Sequence, residues 1–268
     1  MNIYEFGGAD QKSLVMIHGA CMSWDMFQDS IDELKEDFHI FAVAVPGHDL
    51  TTNEEFTTVE DIADRIETKL ISRGQHEIDV LYGLSMGGGF VIRMLADNRL
   101  HVNHAVIDAG ITPYELPRPI TRLILLRDFL MTEWGKHSKK ALSLAFPPEK
   151  YTQEGIDYMH KVMRHMSAKT IWRVFDSTDN YSMPPGFPVL DTLIEYWYGQ
   201  DEKRARKLDI AWMKKHIPSV WFREIPGMDH GQYALMQPKQ FAEDLRRISG
   251  AAKELERSSQ NGLVGDLN

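Results

Sequence analysis

The chain is poor in cysteine: Cys21 is the only one among 268 residues, which excludes an intrachain disulfide and any zinc site built on several cysteines. Long hydrophobic runs are also missing. No stretch of about 18 uninterrupted apolar residues exists, so no membrane-spanning helix is expected. The N-terminus Met1-Asn2-Ile3-Tyr4-Glu5 lacks the basic-then-apolar pattern of a secretory signal, and the expected location is cytoplasmic. Positive charge is in short supply as well. A net charge of −9 argues against a phosphate-backbone partner, because nucleic-acid binding needs a concentrated positive field. Basic clusters are local: Lys203, Arg204, Arg206, Lys207, Lys214 and Lys215 are expected on a single helix and read as its solvated face. What remains is an ordinary globular composition, 43% hydrophobic and 26% charged. The partner it suggests is a small-molecule substrate, with no nucleic acid and no membrane, for a monomer or homodimer.

Short apolar runs alternate with longer amphipathic ones, the pattern of an α/β protein with a mostly parallel sheet. Strands are expected at 14–17, 39–45, 78–82, 102–108, 193–198 and 220–225. One helix carries Trp24, Phe27, Ile31 and Leu34 at helical spacing. A second opens at Thr58, with Asp61 three residues on and a Val59, Ile62, Ile66, Leu70 stripe. The last helix begins at Pro238, a favoured first helical position. Residues 1–110 and 189–250 thus form the expected core. Between them, 111–188 shows about four consecutive helical segments without a strand, too long for a loop. This insertion falls after a strand C-terminus, where ligands bind in open α/β sheets, and is expected to cap an apolar pocket. Beyond Gly250 the periodicity stops, and 251–268 is expected to be a flexible tail.

The chemistry is carried by Gly83-Leu84-Ser85-Met86-Gly87. It is a G-x-S-x-G turn between an apolar strand and an apolar-periodic helix expected from Phe90. Gly83 and Gly87 flank the serine where a Cβ would collide with adjoining backbone, and so sharp a turn exposes the Ser85 hydroxyl. A serine hydroxyl is a weak nucleophile at neutral pH and needs a positioned base. Of eleven histidines, His230 lies in a glycine-flanked loop between the 220–225 strand and the last helix, on the edge where Ser85 rises. No His-x-x-x-His pair encloses an acid, so no metal site is expected. The base in turn needs a carboxylate to hold its tautomer. The loop Gly199-Gln200-Asp201-Glu202 offers Glu202 first and Asp201 second, although acids there also suit a helix N-terminus. Asp108, ending an earlier strand, is the third candidate. Ile17-His18-Gly19-Ala20-Cys21 follows the first parallel strand and can turn backbone amides toward Ser85. The expected oxyanion donors are the N–H groups of Ala20 and Met86. Cys21 reads as a small buried residue, with no base assigned to it.

Taken in order, His18-Gly19, Pro46-Gly47-His48, Gly83 to Gly87, the helical insertion, Gly199 to Glu202 and Asp229-His230-Gly231 make residues 13–248 resemble the α/β-hydrolase superfamily. The resemblance implies a Ser-acid-His triad, acyl-enzyme chemistry without a cofactor, and an eight-stranded sheet with a helical cap after the sixth strand. This N-terminus is short for a full opening hairpin. The family pattern usually has aspartate where Glu202 stands. His18-Gly19-Ala20-Cys21 is also similar to the plant methylesterase and hydroxynitrile lyase branch, but those lyases carry lysine after the catalytic histidine and Gly231 stands here. Ser85 argues against the haloalkane dehalogenases and epoxide hydrolases, which use aspartate at the turn, and Met86 breaks the G-x-S-W-G of proline aminopeptidases. The expected activity is that of a carboxylesterase-like serine hydrolase. Thioesterase, lactonase and C–C hydrolase chemistry, or ligand binding without turnover, fit the same residues.

Overall fold

The computed structural model describes residues 1–250; the expected tail at 251–268 lies outside them. Seven strands form one sheet in the order β1-β3-β2-β4-β5-β6-β7. They are β1 (Asn2–Phe6), β2 (Lys12–Ile17), β3 (Phe38–Ala44), β4 (Glu77–Leu84), β5 (His101–Asp108), β6 (Leu193–Gly199) and β7 (Trp221–Ile225). All pairings are parallel except that of β1, which runs antiparallel to β3. β1 was not expected from the sequence: it is an edge strand that buries only Ile3, so its apolar alternation is too short to register. The central strands behave differently. All seven residues of β3 are buried, as a strand covered on both faces requires.

Helices cover the two faces. α1 (Gln28–Leu34) and α11 (Pro238–Ser249), with the short α10 (Gln232–Met236), pack Ile31, Leu34, Phe241 and Leu245 against Leu14, Met16, Ile40 and Tyr82. α2 (Val59–Ser72), α3 (Met86–Asp97) and α9 (Lys207–His216) pack on the other face against Val15, Ile17, Phe41 and Val43. Neighbouring residues of β2 therefore serve opposite cores, the period-2 alternation of a strand. Thr58 caps α2 as its sequence implied, its hydroxyl accepting from the Asp61 amide at 3.2 Å. α3 begins four residues before the expected Phe90. Its first turn holds Gly87, Gly88 and Gly89, which lack the side chains from which helical periodicity is read.

The segment 111–188 holds five helices rather than four: α4 (Arg118–His137), α5 (Lys139–Ala145), α6 (Pro148–Tyr151), α7 (Gln153–His165) and α8 (Ala168–Thr178). Val162, Met166, Ile171 and Val174 join the core of the sheet. Leu142, Tyr151, Ile156, Met159 and Met163 form a smaller cluster above it, touching Cys21 and Met26. The insertion follows β5. Among the described residues the sheet has one strand fewer than the eight expected, so the insertion expected after a sixth strand comes after the fifth. The basic cluster is corrected too: Lys203, Arg204 and Arg206 precede α9 in a turn, and the half-buried Arg206 turns inward to Glu202 and Asp209 rather than onto a solvated face.

Candidate active site

Ser85 sits between the last residue of β4 and the first of α3 with φ 55° and ψ −113°. A non-glycine residue there is strained by roughly 1–3 kcal/mol and persists only where its surroundings hold it. They do so through backbone. The Ser85 amide donates to the Asp108 carbonyl at 2.7 Å, and the Ser85 carbonyl accepts from the Ile111 amide at 3.2 Å. The two glycines are required by contact: a Cβ on Gly83 would lie 2.3 Å from the Gly87 carbonyl oxygen, and one on Gly87 would lie 2.2 Å from that of Ile17.

Two amides border the serine without an acceptor among the described residues. Met86 opens α3, so its N–H has no partner within the helix. Ala20 lies in the loop after β2, whose course is set by His18. Because His18 Nε2 accepts from the Val45 amide at 3.1 Å, Nδ1 carries the proton and donates to the Gly19 carbonyl at 2.8 Å. Burial pulls the His18 imidazole down to about 4, so it stays neutral at physiological pH.

On the opposite wall His230 follows β7. Its Nδ1 lies 2.7 Å from Glu202 Oε2, and the other oxygen of Glu202 accepts from the Gly199 amide at 3.0 Å. Burial opposes ionisation of Glu202. The His230 charge, these two hydrogen bonds and the Arg206 guanidinium outweigh it and hold the carboxyl below its ordinary value. Arg206 Nε stands 3.6 Å from Glu202, and its Nη1 reaches Asp209 at 3.3 Å. Of the three candidate acids, only Glu202 meets the histidine. Asp201 turns to Lys150 Nζ at 2.8 Å, and Asp108 accepts from the buried Tyr82 hydroxyl at 2.7 Å. Burial pushes the Asp108 carboxyl up to about 7, against the Tyr82 hydrogen bond.

Ser85 and His230 both line a cavity of about 450 Å³ with Gly19, Ala20 and Cys21. No hydrogen bond joins Ser85 Oγ to His230 among the described residues. The insertion supplies apolar walls, including Met131, Trp134, Phe146, Met159 and Phe175. Asp128, Thr132 and Tyr151 are its polar members there. Burial pushes the Cys21 thiol up to about 12, so it is not a thiolate nucleophile. Among the described residues, no group of three or more His, Cys, Asp or Glu side chains could hold a metal ion.

Residues 14–244 match the model of the alpha/beta hydrolase family. The chain belongs to that family. Among solved structures, this alpha/beta hydrolase resembles a putative family member from Desulfitobacterium hafniense at 17% identity and TM-score 0.72, with 92% of this chain and 99% of that one covered. A structure from a study of carboxylesterases of the ammonia-oxidizing thaumarchaeon Nitrososphaera gargenis matches at 19% identity and TM-score 0.73, covering 94% and 95%. An esterase from Rhodococcus sp. ECU1013 matches at 20% and 0.70, covering 93% and 99%. No curated protein sequence matches significantly. At such identities the likeness shows the fold.

This alpha/beta hydrolase also has site contacts that sequence reasoning missed. Lys150 of α6 bridges Asp201 at 2.8 Å and Asp229 at 2.9 Å. The Tyr151 hydroxyl donates to the His230 carbonyl at 3.0 Å, and Gln232 Nε2 donates to the Lys150 carbonyl at 2.7 Å. The insertion is thereby tied to the histidine loop. These partners are about 80 residues apart along the chain, and no local pattern reports them. Arg206 had a signal: it stands four residues after Glu202 and three before Asp209, the spacing of side chains that meet across a helical turn.

Proposed function

We propose that this chain is a serine hydrolase cleaving carboxylic esters of small or medium, partly apolar substrates through an acyl-enzyme. Ser85 Oγ attacks the ester carbonyl while His230 Nε2 takes its proton. Glu202 holds the His230 tautomer and stabilises the imidazolium. The amides of Ala20 and Met86 receive the tetrahedral oxyanion, each worth about 3 kcal/mol in the transition state. Collapse expels the alcohol, which takes the proton from His230. Water, deprotonated by the same imidazole, then attacks the acyl-Ser85 carbonyl and releases the acid. The insertion, 111–188, acts as a cap over the core formed by 1–110 and 189–250, and its apolar walls receive the rest of the substrate.

The observation that carries this reading is the 2.7 Å Glu202–His230 bond on the wall of the pocket that also exposes a backbone-strained serine. The absence of a Ser85–His230 hydrogen bond fits sites that tighten when substrate binds. Hydrolysis of a short p-nitrophenyl ester tests it: Ser85→Ala lowers kcat by at least about 10³-fold with folding intact. Wild-type turnover in that variant overturns the mechanism. Thioesters, lactones and C–C bonds suit the same residues, and an ester, thioester and lactone panel ranks them. A serine that a fluorophosphonate fails to label points instead to a ligand-binding protein without turnover.

A further inference from the structure

Helix α4 turns its large apolar side chains outward. Ile120, Leu123, Leu126, Leu130, Met131 and Trp134 are 44–67% exposed. At about 100° per residue they share one arc of roughly 140°. The buried residues of α4, Thr121, Leu125 and Gly135, lie on the opposing side. Leu144 of α5, 77% exposed, extends the face, and Met131, Trp134 and Leu144 also line the Ser85 pocket. Arg127, its guanidinium bonded to Asp128, falls within the same arc, and the apolar face around it is large enough to mark a contact surface.

Charge identifies what it contacts. Although the chain carries a net −9, residues 118–145 hold six Lys and Arg against two Asp and Glu. The cations gather at both ends of the face. At one end an open groove of about 670 Å³ is lined by Arg118, Arg122 and Arg173, with Glu60 and Asp176 as its acids. At the other, a groove of about 580 Å³ is lined by Lys139 and Lys140 beside Leu144, with Asp157 paired to Lys139 at 2.8 Å. Pairing α4 with α4 of a second copy, in either direction, brings like charges together.

We propose that this face docks on an anionic lipid surface. The α4 side chains enter the headgroup–acyl boundary, and the cations at its ends meet lipid phosphates. The pocket mouth then opens onto the plane of the lipid. No described helix is long and apolar enough to cross a membrane. The expectation of no membrane partner rested on that property, which does not bear on a helix lying in the surface.

Vesicle sedimentation of the full chain tests the proposal, and because it needs no turnover it fails or succeeds apart from the ester reading. Binding to phosphatidylcholine vesicles containing about one-third phosphatidylglycerol is expected to exceed binding to phosphatidylcholine alone by at least roughly tenfold at low salt. The double variant Leu123→Glu/Leu130→Glu, at exposed positions outside the pocket, loses that binding by at least about tenfold with unchanged Tm and unchanged turnover of a soluble ester. Arg118→Glu/Lys140→Glu abolishes the preference for anionic vesicles. Absence of binding to either vesicle, equal binding to both, or binding untouched by these variants overturns the proposal. So does a dimer in light scattering that the leucine variant dissolves, since the face would then belong to a second copy.

Discussion

The two walls of the Ser85 pocket are held by different forces. The Ser85 turn is fixed by backbone, with Gly83 and Gly87 packed where no Cβ fits and Ser85 bonded to the main chain of Asp108 and Ile111. The His230 loop is fixed by side chains instead. Glu202, Arg206, Lys150, Tyr151 and Gln232 reach it or its neighbours from β6–α9, from the insertion and from α10. Close packing tolerates almost no substitution, whereas a polar network loses its members one by one. The serine is thus a rigid feature of the sheet. The His230 loop depends on the insertion being seated.

Four substitutions probe that difference. Gly87→Ala has the largest expected effect, because its Cβ would lie 2.2 Å from the Ile17 oxygen and the turn must move. Loss of about 3 kcal/mol or more in a denaturant titration, together with loss of fluorophosphonate labelling, is expected. A stable, labelled variant would mean the turn is softer than its packing implies. Next comes Glu202→Gln, expected to lower kcat about 10³-fold while Asp201→Asn stays within about threefold of wild type. The reverse order would move the acid to Asp201. The smallest effect belongs to Tyr151→Phe, which removes one hydrogen bond to the His230 carbonyl. It should lower kcat about threefold to tenfold at constant KM, shift the kcat–pH profile, and cost no more than about 1 kcal/mol of stability. A KM effect alone would assign Tyr151 to substrate contact rather than to positioning His230.

The buried strands were legible in the sequence because apolar runs between turn signals report a covered parallel sheet, and their bounds agree within a few residues. β1 escaped because Asn2 and Glu5 interrupt its five residues and only Ile3 is buried. The start of α3 escaped because its glycines conceal the helix. Among the candidate site residues, Ser85 and His230 stood out through local context: glycines at a strand-to-helix turn, and a glycine-flanked loop after a strand. Among the acids the sequence placed Glu202 ahead of Asp201 and Asp108, and it is Glu202 that meets His230, but adjacent acids in one loop look alike until the fold aims them.

The sequence by itself determined what depends on near neighbours: strand and helix periodicity, the Thr58 cap, and the sharp turn that exposes Ser85. These are set by backbone sterics and side-chain spacing over a few residues. Only the tertiary structure decided which carboxylate meets His230 and that the half-buried Arg206 turns inward beside it. It also decided that α6 grips the histidine loop and that α4 leaves an apolar face uncovered between two cationic grooves. Those outcomes depend on which distant segments share a boundary with water, and residue spacing along the chain carries little information about that.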